Sequence, residues 1–146
     1  MTFEELLAKD GCLVYKVRGK SMEPMLRQDR DLVVIRPASS RLQRFDLALY
    51  KRGENYVLHR VIHVCEDHYL IRGDNTYSLE YVPDQAVLGV LTGFSRKGRQ
   101  HNVTDRGYLM YVHIWHTIYP LRHALLKVRR LLAGIVRKVI RKDIRS

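Results

Sequence analysis

The sequence predicts a mainly β protein, an antiparallel β domain followed by a basic amphipathic helical tail. Three observations carry this. Short runs of β-branched and aromatic residues recur at close spacing from residue 12 to residue 94, separated by Gly, Asp and Asn turn signals and without a long helical period. After Gly107 the apolar period becomes helical. The charge changes there too. Residues 1–95 carry as many acidic as basic side chains, so the whole formal excess of +11 sits in residues 96–146.

The elements follow in chain order. Thr2–Lys9 reads as a short helix, with Thr2 as N-cap and Glu5 completing a capping box; Asp10-Gly11 breaks it. Cys12–Val17, Leu32–Ile35 and Leu47–Tyr50 read as strands, and Lys51–Asn55 with its Gly53 as a hairpin turn. Tyr56–Val64 and His68–Ile71 are further strands, the latter ending at Gly73-Asp74-Asn75. Ala86–Phe94 is the last strand, closed by Ser95–Gly98. This places the β domain at residues 1–98 and the tail at 107–146. Pro120 suits the first turn of a helix, where its missing N–H is not needed. Leu121, Leu125, Val128, Leu132, Ile135 and Val139 then step by four and three to form one apolar stripe. Gly134 weakens that helix by about 1 kcal/mol relative to Ala.

The composition excludes several classes. With 46% hydrophobic residues the chain is not disordered. Glu4 and Glu5 and the lack of an apolar core argue against a secretory leader at the start, and no run reaches the ~18–20 apolar residues of a spanning helix. The expected location is therefore cytoplasmic or peripheral to a membrane. Cys12 and Cys65 belong to no CxxC pair; free thiols in a reducing compartment are the simplest reading, and a disulfide between them stays open. His63, His68, His101, His113, His116 and His123 fit no zinc spacing, so no metal or other cofactor is implied.

The most informative segment is Gly19-Lys20-Ser21-Met22-Glu23-Pro24-Met25. A serine between a glycine and a proline sits on a constrained turn, where its hydroxyl and N–H can face a cleft. A lone serine in a turn is usually structural. The surrounding motifs change that. Gly-x-Ser-Met-Glu-Pro resembles the nucleophile motif of the S24/S26 serine peptidases, which include type I signal peptidases and LexA-like repressors. Asp31–Ile35, Phe45–Tyr50, Leu58-His59-Arg60-Val61-Ile62, Gly73-Asp74-Asn75 and Gly89-Val90-Leu91 resemble the family's further motifs, in order, over residues 13–95.

The resemblance implies a signal-peptidase or LexA-like β fold and an acyl-enzyme mechanism on a peptide or protein substrate. Bacterial signal peptidases and LexA-like proteins use a lysine base; His59 at the matching position resembles the archaeal and endoplasmic-reticulum type instead. Imidazole, with an unperturbed pKa of about 6.5, is available as a base near neutral pH. Ser21 is then the nucleophile and His59 the base. Asp74 matches the first acid of the His-type enzymes. The second acid falls on Glu80, where those enzymes have Asp, so which of the two orients His59 stays open. Gly19 and Met22 border the expected substrate and oxyanion region, with the Ser21 N–H as one oxyanion donor. Glycine is also missing before Asp31 and before Asp46, which affects turns rather than chemistry.

Signal peptidases carry a membrane helix before the serine, and the residues before Ser21 are not apolar. The tail is the expected substitute. Trp115 and nearby tyrosines favour the membrane–water interface. Arg129, Arg130, Arg137 and Lys138 beside the apolar stripe suit an anionic membrane surface; packing of the stripe on the β domain is the alternative, and nucleic acid is the least favoured partner. The leading function is a serine endopeptidase that removes a leader or signal segment. A self-processing regulator, which needs a DNA-binding domain and a lysine base, ranks low; a catalytically silent binding protein is the third reading.

Overall fold

The computed structural model describes residues 1–145. These fall into two compact units divided between Met110 and Tyr111. The first opens with helix α1 (Phe3–Asp10). The capping box is made in full: Glu5 N–H donates to Thr2 Oγ1 and Thr2 N–H to Glu5 Oε2. Gly11 ends the helix in the left-handed conformation.

Eight strands follow: β1 (Leu13–Lys16), β2 (Leu32–Arg36), β3 (Leu47–Arg52), β4 (Asn55–Val64), β5 (His68–Arg72), β6 (Glu80–Pro83), β7 (Val87–Arg96) and β8 (Arg99–Asn102). They form one sheet in the order β1-β2-β7-β3-β4-β5-β6, with β8 on β7. Every strand pairing among the described residues is antiparallel. The antiparallel β expectation is met, and the sheet exceeds it by two strands. β6 hides in sequence because it is short, polar at its start and ends in Pro83; a proline is tolerated on an edge strand, which β6 is. The four residues of β8 are all polar, and a tight turn through Lys97 and Gly98, both at positive φ, folds it back on β7. The sheet therefore runs on to Asn102.

Most of β3 and β4 is buried, with Ala48, Leu49 and Val61 at 0% exposure. One core cluster unites Leu42, Ala48, Tyr50, Val57, Val61, Tyr69, Ile71 and Val82. The missing glycines leave a trace here. Phe45, directly before Asp46, holds φ 76°, and Asp29, two before Asp31, holds φ 61°. Non-glycine residues carry the left-handed turns into β2 and β3, at a cost of roughly 1–2 kcal/mol each. Phe45 is held by reciprocal backbone bonds, Phe45 N–H to Val61 O and Val61 N–H to Asp46 O.

Helix α2 (Arg106–Thr117) spans the boundary between the units and α3 (Tyr119–Arg145) completes the second. Pro120 lies in the first turn of α3, as its chemistry requires. All six residues of the apolar stripe, Leu121 to Val139, are at least 50% exposed. Cys12 and Cys65 are free, half-buried thiols. Among the described residues no helix is long and apolar enough to cross a membrane, and no group of His, Cys, Asp and Glu is placed to hold a metal ion.

Candidate active site

The Ser21 loop connects β1 to β2 and is tied at its base. Val17 N–H donates to Asp31 O, Asp29 N–H to Val17 O, and Gly19 N–H to Gln28 Oε1. Gly19 makes the bend at φ 78°. Met22, Met25 and Leu26 are buried at 2%, 3% and 0%, and these apolar side chains hold the loop down. Asp31, fully buried, accepts from Arg30, from Arg27 N–H and from Lys97 N–H. Its burial works against the charge, and these donors more than offset it, so the carboxyl stays below its usual range.

The segment Gly73-Asp74-Asn75 closes over this loop. Asn75 N–H donates to Ser21 O at 2.8 Å and its side-chain amide to Lys20 O at 3.1 Å. Gly73 leaves no room for a side chain: a Cβ there would lie 2.6 Å from Ser21 O, 3.1 Å from Ser21 Cβ and 3.1 Å from His59 Nε2. The result is close approach of the Ser21 loop to β4. Ser21 Oγ and His59 Nε2 are 2.9 Å apart.

The other imidazole nitrogen meets two groups. His59 Nδ1 is 3.3 Å from Tyr50 Oη and 3.6 Å from Glu80 Oε1. Tyr50 donates its one phenolic hydrogen to Glu80 Oε2 at 3.0 Å. Burial, reinforced by Glu80, pushes the phenol pKa up, so that hydrogen stays on the oxygen. The phenol oxygen can then only accept from His59, which assigns the imidazole hydrogen to Nδ1 and leaves a lone pair on Nε2 facing Ser21. Arg52 Nη1 holds Glu80 Oε1 from outside at 2.7 Å. His59 is 6% exposed. Burial lowers its pKa below the ordinary 6.5; Glu80 and Asp74 pull it upward and Arg52 downward, and burial wins.

Strand register decides which acid reaches the imidazole. Glu80 of β6 is opposite Ile71 of β5, and Ile71 is opposite Val61 of β4. Val61 is two residues from His59, so Glu80 and His59 share a face. Tyr50 shares it as well, because Ala48, two residues before it, is opposite His59. Arg60 is opposite Arg72 and points to the other face, toward Asp74. Of the two acids the sequence left open, Glu80 is the one that faces His59 Nδ1, and Asp74 pairs with Arg60 instead. Asp74 Oδ1 and Oδ2 accept from Arg60 Nε and Nη2 at 2.8 and 2.9 Å in a fully buried pair. Burial opposes the Arg60 charge, but Asp74 more than compensates and keeps it firmly protonated. Arg60 also donates to Phe45 O and to Tyr108 Oη. Asp74 thus fastens the Gly73–Asn75 segment to β4, and Glu80 is the carboxylate facing His59 Nδ1.

Met22, expected to border the substrate, turns inward; its sulfur lies 3.5 Å from Asp74 N–H and anchors the loop. Gly19 stands at the exposed bend. Sequence reasoning gave Tyr50, Arg52, Arg60 and Gly73 no role in the site, although Tyr50, Arg60 and Gly73 lie within the motifs it singled out. The signal for Tyr50 was its place two residues along from Ala48 on a strand read correctly, but its neighbour is set by the register of β3 on β4, which no local motif encodes.

A family model described as peptidase S24-like matches residues 1–92, a span that contains Ser21, His59, Asp74 and Glu80 and ends before the helices α2 and α3. No curated protein matches the chain.

Proposed function

Because the chain belongs to the peptidase S24-like family, we propose that it is a serine endopeptidase of the Ser–His type, acting on a leader or signal segment of a peptide or protein. One observation carries this reading: the 2.9 Å contact of Ser21 Oγ with Nε2 of His59. His59 Nε2 takes the Ser21 hydroxyl proton while Oγ attacks the scissile carbonyl. The tetrahedral oxyanion takes the Ser21 backbone N–H as donor. Its collapse breaks the C–N bond, and Nε2–H protonates the leaving amine, leaving an acyl ester on Ser21. Water then attacks the ester with His59 as base, releases the acid and returns the proton to Oγ.

Tyr50 and Glu80 support the imidazolium that forms at each transfer, as hydrogen-bond acceptor and as negative charge. This is the part an aspartate plays in other serine hydrolases, taken here by a longer carboxylate acting through a phenol. The absence of a lysine at the base position argues against the LexA-like self-cleaving alternative, which needs one.

A fluorophosphonate probe tests the proposal. The wild type should be acylated, with Ser21→Ala and His59→Ala unlabelled. Equal labelling of wild type and Ser21→Ala sinks the enzymatic reading. Failure of correctly folded wild type to label favours the silent binding protein. Appearance of a shortened chain on storage, abolished by Ser21→Ala, makes it self-processing. For a substrate, peptides with small residues before the scissile bond are the first to screen.

A further inference from the structure

Helix α3 has a face whose chemistry identifies its partner. The helix runs 27 residues, about 40 Å. Leu121, Leu125, Val128, Leu132, Ile135 and Val139 form its stripe, and Leu131 and Val136 widen it; all are 50–68% exposed. Such an extended apolar face in water marks an interaction surface. The cations Lys127, Arg130, Arg137 and Arg141 sit on the opposite side, with Arg129 and Lys138 nearer the borders, and the helix holds no acid before Asp143. At its start is an aromatic and cationic stack: Arg122 Cζ is 3.6 Å above the Trp115 ring, and Tyr111 stacks on Trp115 at 6.0 Å.

We propose that α3 lies in the plane of an anionic lipid bilayer surface, its apolar arc in the acyl boundary and its cations among the headgroups. Charge complementarity selects this occupant. Duplex nucleic acid would use the cations and leave the apolar arc in water. A second copy of the helix would bury the stripe but leave the cations on the opposite side without an anionic partner and bring only the border cations Arg129 and Lys138 near their like on the other helix. The arc is also wider than the two-position seam of a coiled coil, as an in-plane membrane helix requires. Trp115 and Tyr111 are residues of the headgroup level.

The test uses the full chain and flotation with vesicles of phosphatidylcholine and phosphatidylglycerol, against vesicles of phosphatidylcholine alone. Trp115 is the only tryptophan, so its emission reports binding directly. The expected result is partition to the anionic vesicles with a blue shift of Trp115, and little to the neutral ones. At about fivefold per cation near an anionic surface, Arg130→Gln with Arg137→Gln should weaken partition roughly 25-fold. Leu132→Asp with Ile135→Asp should abolish it; the Gln pair, which keeps good helix formers, carries the test if the Asp pair loses helicity. Ser21→Ala should bind vesicles as the wild type does, which separates this proposal from the peptidase reading. Equal partition to both vesicle types overturns it. So does binding that survives both double substitutions, a preference for duplex DNA over anionic vesicles, or a dimer lost with Leu132→Asp in a chain that ignores vesicles.

Discussion

Replacing Glu80 by Gln removes the negative charge facing His59 Nδ1 and keeps the side-chain length. At 3.6 Å from Nδ1, a unit charge is worth about 1 kcal/mol in bulk water and about 5 kcal/mol at an effective dielectric constant of 20. The Glu80 side chain is 26% exposed and Arg52 neutralises part of it at 2.7 Å, which places the effect toward the lower end. Taking about 1.4–2.7 kcal/mol, the imidazolium loses one to two pH units of stabilisation. Burial already holds His59 below 6.5, so Glu80→Gln should move the acid limb of the rate still lower. The same loss applies in the transition state, where the imidazolium forms, so acylation near neutral pH should fall about 10- to 100-fold. The assay is the second-order rate of Ser21 acylation by a fluorophosphonate between pH 4 and pH 8, about the range that brackets a histidine. Asp74→Asn provides the contrast: it should cut the rate by loosening the Gly73–Asn75 segment and lower the acid limb less than Glu80→Gln does, because Asp74 is the weaker of the two charges acting on His59. The register argument is refuted if Glu80→Gln leaves both limb and rate unchanged while Asp74→Asn shifts the limb.

Tyr50→Phe breaks the phenol bridge without changing the core volume appreciably; the rate should drop about 10-fold as Nδ1 loses its acceptor, with a melting shift of a few degrees at most. Gly73→Ala pushes a methyl to within 2.6 Å of Ser21 O and 3.1 Å of His59 Nε2, so acylation should fall at least 100-fold as the dyad is forced apart; a rate within threefold of wild type would mean the contact is loose in solution. Arg60→Met leaves Asp74 ionised and buried without its guanidinium, at a cost of about 3–5 kcal/mol measured by urea unfolding. His59 also links stability to pH. Its pKa is lower folded than unfolded, so the unfolded state takes the proton first, and His59 contributes a loss of stability as pH falls below about 6.5; thermal melts of wild type and His59→Gln should diverge in that window.

Local patterns made much of this protein legible from sequence. The Thr2–Glu5 capping box, the β-branched runs, the Gly53 turn and the four-and-three spacing after Pro120 each encode their structure within a few residues, because propensity and burial act locally there. The pair Ser21 and His59 was legible for a different reason, the ordered motifs around them. Strands β6 and β8 were not, since their short polar sequences become strands only by pairing with β5 and β7.

The sequence by itself determined an antiparallel β domain, a basic helical tail with a continuous apolar stripe, and a serine and a histidine in motif order. Only the tertiary structure decided which carboxylate faces the histidine. Side chains alternate along a strand, so His59 and Arg60 are neighbours in sequence and opposed in space. The pairing of β4 with β5 and of β5 with β6 then sends Asp74 to Arg60 and brings Glu80, with Tyr50, to the imidazole.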